Sequence, residues 1–253
     1  MGVLGVTQFG TAFRNYFKVV PALTDELRDH AYLIRHRVYC EDLKYEPKRP
    51  DRRERDEYDA QSVHCLVRSV ETGEYVGCTR LVLTRPGDPS YPLPFEKTCA
   101  QTIDRTIIDP LALPRQTIAE VSRLAIVSEF RRRRGEQDSP APISEESFGT
   151  QARPRFPYLA IGLYLGTIEL AALHGIDTLF LLTEPKFVRH LATLGVKIKQ
   201  IGGAVEHRGT RVPSTRSVPS IVAGLNIIVR PLYDVIAEEV RQAVLEQRAI
   251  RQS

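Results

Sequence analysis

The sequence contains no tryptophan and a single methionine, Met1. Its four cysteines, Cys40, Cys65, Cys78 and Cys99, include no C-x-x-C pair and fall in otherwise apolar segments. That pattern excludes the usual zinc and dithiol spacings, so reduced structural thiols are expected and no metal. The N-terminus has no cationic segment followed by an apolar run, so no signal peptide is expected and the cytoplasm is the expected compartment. Met1-Gly2 opens like a myristoylation signal, but Val6 stands where Ser or Thr is required. A charge-free apolar run of spanning length is missing too. The most apolar stretch, residues 158–176, carries Glu169 and His174. A carboxylate at the bilayer centre costs roughly 2.5–3.5 kcal/mol, so a buried helix is expected and no integral membrane contact.

What is present is the composition of a globular enzyme: 253 residues, 42% hydrophobic and 26% charged, enough to bury a substantial core. The net charge of +4 mildly favours acidic partners without demanding nucleic acid. A single domain over residues 1–253 is expected, with a mobile loop at 131–157 where four arginines precede a polar, proline-containing tract.

Leu27, Ala31, Ile34 and Val38 recur at helical spacing behind Thr24-Asp25-Glu26. Residues 63–70 and 75–84 alternate as two strands joined at Gly73, a hairpin signature. Residues 85–116 hold six prolines and little periodicity, which predicts an irregular connection. Residues 118–127 form a further strand. Helices are expected over 159–174 and 185–194, each stopped by a glycine (Gly175, Gly195), around a short strand at 178–182. Closing strands are expected at 196–201 and 218–229, and a last amphipathic helix at 231–248. The order predicts an α+β sandwich with a mixed sheet.

Charged residues inside apolar strands attract attention because burying them unpaired is costly. Arg80 alternates with Val76, Cys78 and Val82. Glu120 is expected to share a face with Ile118 and Ile126, and Arg123 to lie on the other with Val121 and Ala125. Glu54, Asp56 and Asp59 in the preceding loop are the natural partners of these arginines.

Arg35-x-x-x-Tyr39, Glu54-Arg55-Asp56-Glu57-Tyr58-Asp59, Gly77-Cys78-Thr79-Arg80-Leu81 and Glu120-Val121-Ser122-Arg123-Leu124-Ala125-Ile126 follow one another in this order. The series resembles the acyl-homoserine-lactone synthases. It is more similar still to the related PEP-CTERM/exosortase-associated acyltransferases and the N-acyl amino acid synthases. The resemblance covers roughly residues 15–130 with specific motifs. It implies a GNAT-like, mostly antiparallel sheet flanked by helices, an acyl donor carried on phosphopantetheine (acyl carrier protein or coenzyme A), and a small amine acceptor. It implies no tightly bound cofactor. It also sets Arg35, Asp56, Asp59, Arg80, Glu120 and Arg123 on functional positions. Tyr39 and Tyr45 stand where the lactone synthases carry Phe and Trp. That departure favours an amino-acid acceptor over S-adenosylmethionine.

A carboxylate such as Glu120 suits the general base that an ammonium acceptor needs. Arg35 and Arg80 are candidates for a guanidinium clamp on the acceptor's carboxylate. Tyr39, Tyr45, Asp56, Asp59, Ser122 and Arg123 are candidates for shaping its pocket, with Arg123 held to the acidic loop. Arg131, Arg132, Arg133 and Arg134, followed by Gly135, form a partial phosphate-loop pattern that would meet the donor's phosphopantetheine or an acidic carrier protein. No interleaved aromatics accompany them, against nucleic-acid binding. Small residues Ala160, Gly162 and Gly166 on the apolar helix could leave room for an acyl chain. A lactone synthase using S-adenosylmethionine and a non-catalytic acyl-ligand sensor are the alternative readings.

Overall fold

The computed structural model describes residues 13–130 and 158–252. The segment 131–157, and with it Arg131 to Arg134, lies outside the described residues.

Eight strands form one sheet: β1 (Phe17–Pro21), β2 (Ser62–Ser69), β3 (Tyr75–Leu83), β4 (Ile118–Ile126), β5 (Thr178–Thr183), β6 (Lys199–Gln200), β7 (Val205–Glu206) and β8 (Thr210–Ser217). The order is β1-β2-β3-β4-β5-β8-β6, with β7 on β8. Only β4 and β5 run parallel, and a helix makes the crossover that a parallel pair requires. The mixed, mostly antiparallel sheet is therefore as expected. The details differ at both ends. Phe17–Pro21 adds an edge strand. The segment 218–229 is not a strand: Val218–Gly224 is helix α5, and the closing strand is the preceding Thr210–Ser217. Pro219 falls in the first turn of α5, where its missing N–H costs nothing.

Helix α1 (Asp25–Arg35) starts where the Thr24 hydroxyl accepts the Leu27 N–H at 3.2 Å, and runs into a π-helical turn over His36–Asp42. It covers one face of the sheet beside a short helix, α2 (Pro94–Thr98). Helix α3 (Tyr158–Leu173) covers the other face, with α6 (Arg230–Gln252) packed over it and α4 (Pro185–Thr193) and α5 near β8. Helix α3 is apolar nearly all round because both its sides are covered. Its one carboxylate, Glu169, is buried and accepts from Tyr233 Oη and Arg241 Nε, each at 2.6 Å, both on α6. No helix among the described residues is long and apolar enough to cross a membrane.

The small residues of α3 serve packing and leave no space for an acyl chain. A Cβ on Gly166 would meet Val19 Cγ1 at 2.6 Å and Cys65 Sγ at 2.8 Å, and one on Gly162 would meet Phe13 at 2.9 Å. These glycines let the helix settle on β1 and β2. Gly166→Val should cost about 1–3 kcal/mol of overpacking, read as a lowered midpoint in denaturant with unchanged slope.

Candidate functional site

The site begins with a break in a strand. Arg80 faces Ser122 while Cys78 faces Ala125, so β4 carries one residue more than β3 across that interval. The extra residue falls at Arg123, whose φ of 53° is left-handed, the geometry of a β-bulge. Simple alternation fails there. Ala125, opposite Cys78, returns to the face of Glu120 and Ser122, and Ile126 moves to the other. The same bulge turns Arg123 toward the face that carries Arg80. The expected separation of Glu120 and Arg123 onto opposite faces is thus corrected, because one inserted residue inverts the period beyond it.

The acidic loop closes over that face. Arg35 Nε donates to Glu54 at 2.5 Å, and its Nη1 and Nη2 donate to Asp59 at 2.6 and 3.0 Å. Arg80 Nη1 donates to Asp56 at 2.6 Å and to Asp59 at 3.0 Å. Arg123 Nη2 donates to Asp56 at 2.9 Å and to Glu54 at 3.3 Å. Each arginine bridges two carboxylates and each carboxylate two arginines, so six residues from α1, β3, β4 and the loop form one closed, neutral ring. The arginines hold the carboxyls of Glu54, Asp56 and Asp59 below their ordinary values against the opposing effect of burial. Asp59 also accepts the Asp56 backbone N–H at 2.7 Å.

Arg35 is fully buried and its three nitrogens are all engaged within the ring. Arg80 adds a bond from Nε to Ser122 Oγ at 3.1 Å, leaving Nη2 without a hydrogen-bond partner among the described residues. His64 lies against the ring, its Nε2 3.5 Å from Asp59; burial and the nearby Arg35 push its pKa down to about 3, so it is neutral there.

Glu120 stands apart from the ring on the same face, opposite Val82 of β3 and Phe180 of β5. It is 3% exposed, and one oxygen accepts the Phe95 N–H at 2.7 Å. Around it lies a small apolar core of Tyr58, Val82, Leu93, Phe95, Ile118, Phe180 and Ile201, in which Phe95 stacks on Phe180 at 4.5 Å between centroids. Burial pushes the Glu120 carboxyl up to about 8, against the opposing pull of the Phe95 N–H and of Arg80 and Arg123. A carboxyl titrating near neutrality can exchange protons at physiological pH.

Strands β4 and β5 pair only from Ile118↔Thr178 to Val121↔Leu181. Beyond that β4 continues to Ile126 while β5 turns with β8, and a gap opens. On the face opposite Glu120 the gap leads into an apolar cleft of about 500 Å³, its open side included. Val121, Leu179 and Leu181 form its floor, with walls from Tyr164 and Leu165 of α3 and Leu191 of α4. Tyr39 and Tyr45 stack at 6.4 Å beside Arg123, and Tyr39 Oη donates to the Leu124 carbonyl at 2.9 Å, bracing the bulge.

Two features were invisible in the sequence. The β7–β8 turn reaches back across the gap, where Arg208 pairs with Glu46, itself 3.8 Å from Arg123. The amide that binds Glu120 comes from the proline-rich connection. The signal there is local: Pro94 occupies the first helical position, and Glu96 accepts the Leu93 N–H at 2.7 Å. Among the described residues no group of His, Cys, Asp and Glu could hold a metal ion.

Residues 34–138 match the acetyltransferase (GNAT) domain family. The fold is GNAT-like. The chain superposes on the acyl-homoserine-lactone synthase LasI with a TM-score of 0.55 at 17% identity, over 84% of this chain and 98% of that one. For BjaI, a coenzyme-A-dependent acyl-homoserine lactone synthase solved with S-adenosylmethionine and isopentyl-CoA, the values are 0.55, 19%, 91% and 99%. For FeeM, an N-acyl amino acid synthase from uncultured soil microbes, they are 0.52, 15%, 84% and 96%. No curated protein matches the sequence significantly.

Asp59→Asn, which leaves Arg35 short of a buried counter-charge, should destabilise the protein by about 3–5 kcal/mol in denaturant unfolding at pH 7. The sign follows from the lowered carboxyl pKa values. The ring's contribution is fully present above the ordinary carboxylate range and is lost as pH falls below that range towards the lowered folded-state values, so the gap between variant and wild type should narrow in strong acid.

Proposed function

We propose that the protein is an N-acyltransferase that moves a fatty acyl group from a phosphopantetheine thioester to the amine of an amino acid or similar small acceptor. The observation that carries this reading is Glu120. It is a buried carboxyl with a pKa near 8, set on one face of a splayed β4–β5 pair whose other face opens into an apolar cleft.

In this mechanism the acceptor binds on the Glu120 face and the donor's acyl chain lies in the cleft, so that the thioester carbonyl sits in the gap. Ionised Glu120, directly or through one water, takes a proton from the acceptor's ammonium. The freed nitrogen adds to the carbonyl carbon, and backbone N–H groups on the strand edges that face the gap receive the oxyanion. The intermediate collapses with cleavage of the C–S bond. The pantetheine thiolate leaves and takes the second proton that the attacking nitrogen must shed, giving an amide and a free thiol, and Glu120 returns its own proton to solvent.

Within this scheme Arg35 is a positioning residue, since its guanidinium is spent on Glu54 and Asp59. Arg80 keeps Nη2 for the acceptor while Ser122 and Asp56 hold it in place. Asp59 and Arg123 complete the ring that fixes the pocket wall, and Tyr39 and Tyr45 line it. An acyl carrier protein is the proposed donor partner, met by Arg131 to Arg134, with coenzyme A the second donor. The tyrosines favour the amino-acid-acylating or exosortase-associated branch over the lactone synthases.

Incubation with long-chain acyl carrier protein or acyl-CoA and a panel of amines that includes S-adenosylmethionine should give an N-acyl amino acid detectable by mass spectrometry. Glu120→Gln should lower kcat by about 10²–10⁴-fold with unchanged donor binding. For wild type, kcat/KM should rise with pH through about 8 as Glu120 loses its proton. A lactone formed only with S-adenosylmethionine, or bound lipid without turnover, would replace this reading.

A further inference from the structure

The cleft has an edge that the reaction does not use. The loop between α5 and α6 lines the cleft with Leu225 and Val229, yet the two residues between them and Asn226, Ile227 and Ile228, face solvent at 74% and 42% exposure. Adjacent isoleucines at a loop tip have no packing reason to be there. The loop is held rigidly. Asn226 N donates to the Leu194 carbonyl at 3.2 Å and its Nδ2 to the Thr193 carbonyl at 3.0 Å. Gly195 approaches Gly224 so closely that a Cβ would lie 2.0 Å from the Gly224 carbonyl oxygen. The isoleucines are thereby fixed beside the end of α4 and the turn that follows.

The charge of the segment from residue 186 to 230 is one-sided. From Lys186 to Arg230 eight Lys or Arg stand against a single carboxylate, Glu206, although the whole chain is only +4. Within this segment Lys186, Arg189, Lys197 and Arg230 are exposed, Arg230 two residues from Ile228 and Lys197 two residues from the Gly195 against which the loop packs. Lys186 pairs with Glu184 and Arg230 with Asp234, while Arg189 and Lys197 have no acidic partner among the described residues. An apolar tip in a cationic surround matches an anionic bilayer, which takes isoleucines into its headgroup–acyl boundary and attracts the cations to its lipid headgroups.

We propose that this edge rests peripherally on an anionic membrane, with Ile227 and Ile228 inserted, so that the cleft faces lipid. The proposal rests on the acyltransferase reading for its purpose: a lipophilic N-acyl product leaves the cleft into a bilayer more readily than into water. The binding itself is independent of turnover. An acidic carrier protein would also be drawn to the cations, but it would not call for two exposed isoleucines.

The test is co-sedimentation of the full chain with vesicles of phosphatidylcholine alone or mixed with phosphatidylglycerol. The expected result is binding to the mixed vesicles, weakened by salt, at least tenfold stronger than to phosphatidylcholine. Ile227→Ser/Ile228→Ser should reduce it at least tenfold with acyl transfer from a soluble donor unchanged, and Arg189→Glu/Lys197→Glu should reduce the anionic preference. Absence of vesicle binding, binding indifferent to the isoleucine pair, or capture of an acyl carrier protein by this edge with no vesicle binding overturns the proposal. An inactive enzyme that still binds vesicles through Ile227 and Ile228 counts against the acyltransferase reading and not against this one.

Discussion

Six charged side chains sharing one closed circuit hold the site together. Arg35, Arg80 and Arg123 alternate with Glu54, Asp56 and Asp59, and four separate stretches of chain meet there. Burying even one of these charges alone would cost several kcal/mol, so the circuit exists complete or not at all. It is also neutral. The guanidinium charge nearest Glu120 is balanced within the ring, and burial decides the state of that carboxyl. The high pKa of the proposed base is a consequence of its burial, which outweighs the pull of Arg80 and Arg123 from the ring beside it.

The sheet converts that local arrangement into a two-sided device. The residue inserted at Arg123 lets β4 present Glu120, Ser122 and Arg123 to one side while Val121 stays on the other. The parting of β4 from β5 after Val121 joins the sides through a gap. The charged ring and Glu120 are thereby separated from the apolar cleft by the thickness of one sheet. Tyr39 and the Glu46–Arg208 pair brace the gap from the α1 side and from the β7–β8 turn.

Much of this was legible in the sequence, for identifiable reasons. Strands β2 to β5 announce themselves by alternation or by short buried runs, and α3 by its length and its terminating Gly175. Arg80, Glu120 and the acidic loop stand out as charges where apolar residues belong. The misreadings have equally physical causes. A bulge leaves no mark on a strand's composition, so the faces beyond Arg123 were inverted. Val218–Val229 is rich in β-branched residues, but Pro219 and the packing against β8 make its first half a helix. Gly162 and Gly166 could have signified space or close approach, and only the positions of Phe13, Val19 and Cys65 decide. The Phe95 amide and the Arg208–Glu46 pair are tertiary contacts, which no local pattern encodes.

The proposed chemistry turns on the ionisation of one carboxyl, that of Glu120. Its most direct test is a carbon-13 NMR titration of the glutamate side-chain carboxyls in the full chain, with Glu120 assigned by its loss in Glu120→Gln. The account predicts that this resonance titrates near 8, well above the ordinary value, while that of Glu54 titrates below it. A Glu120 carboxyl that titrates near 4.5 would show that it is solvated or paired, and would contradict its assignment as the base.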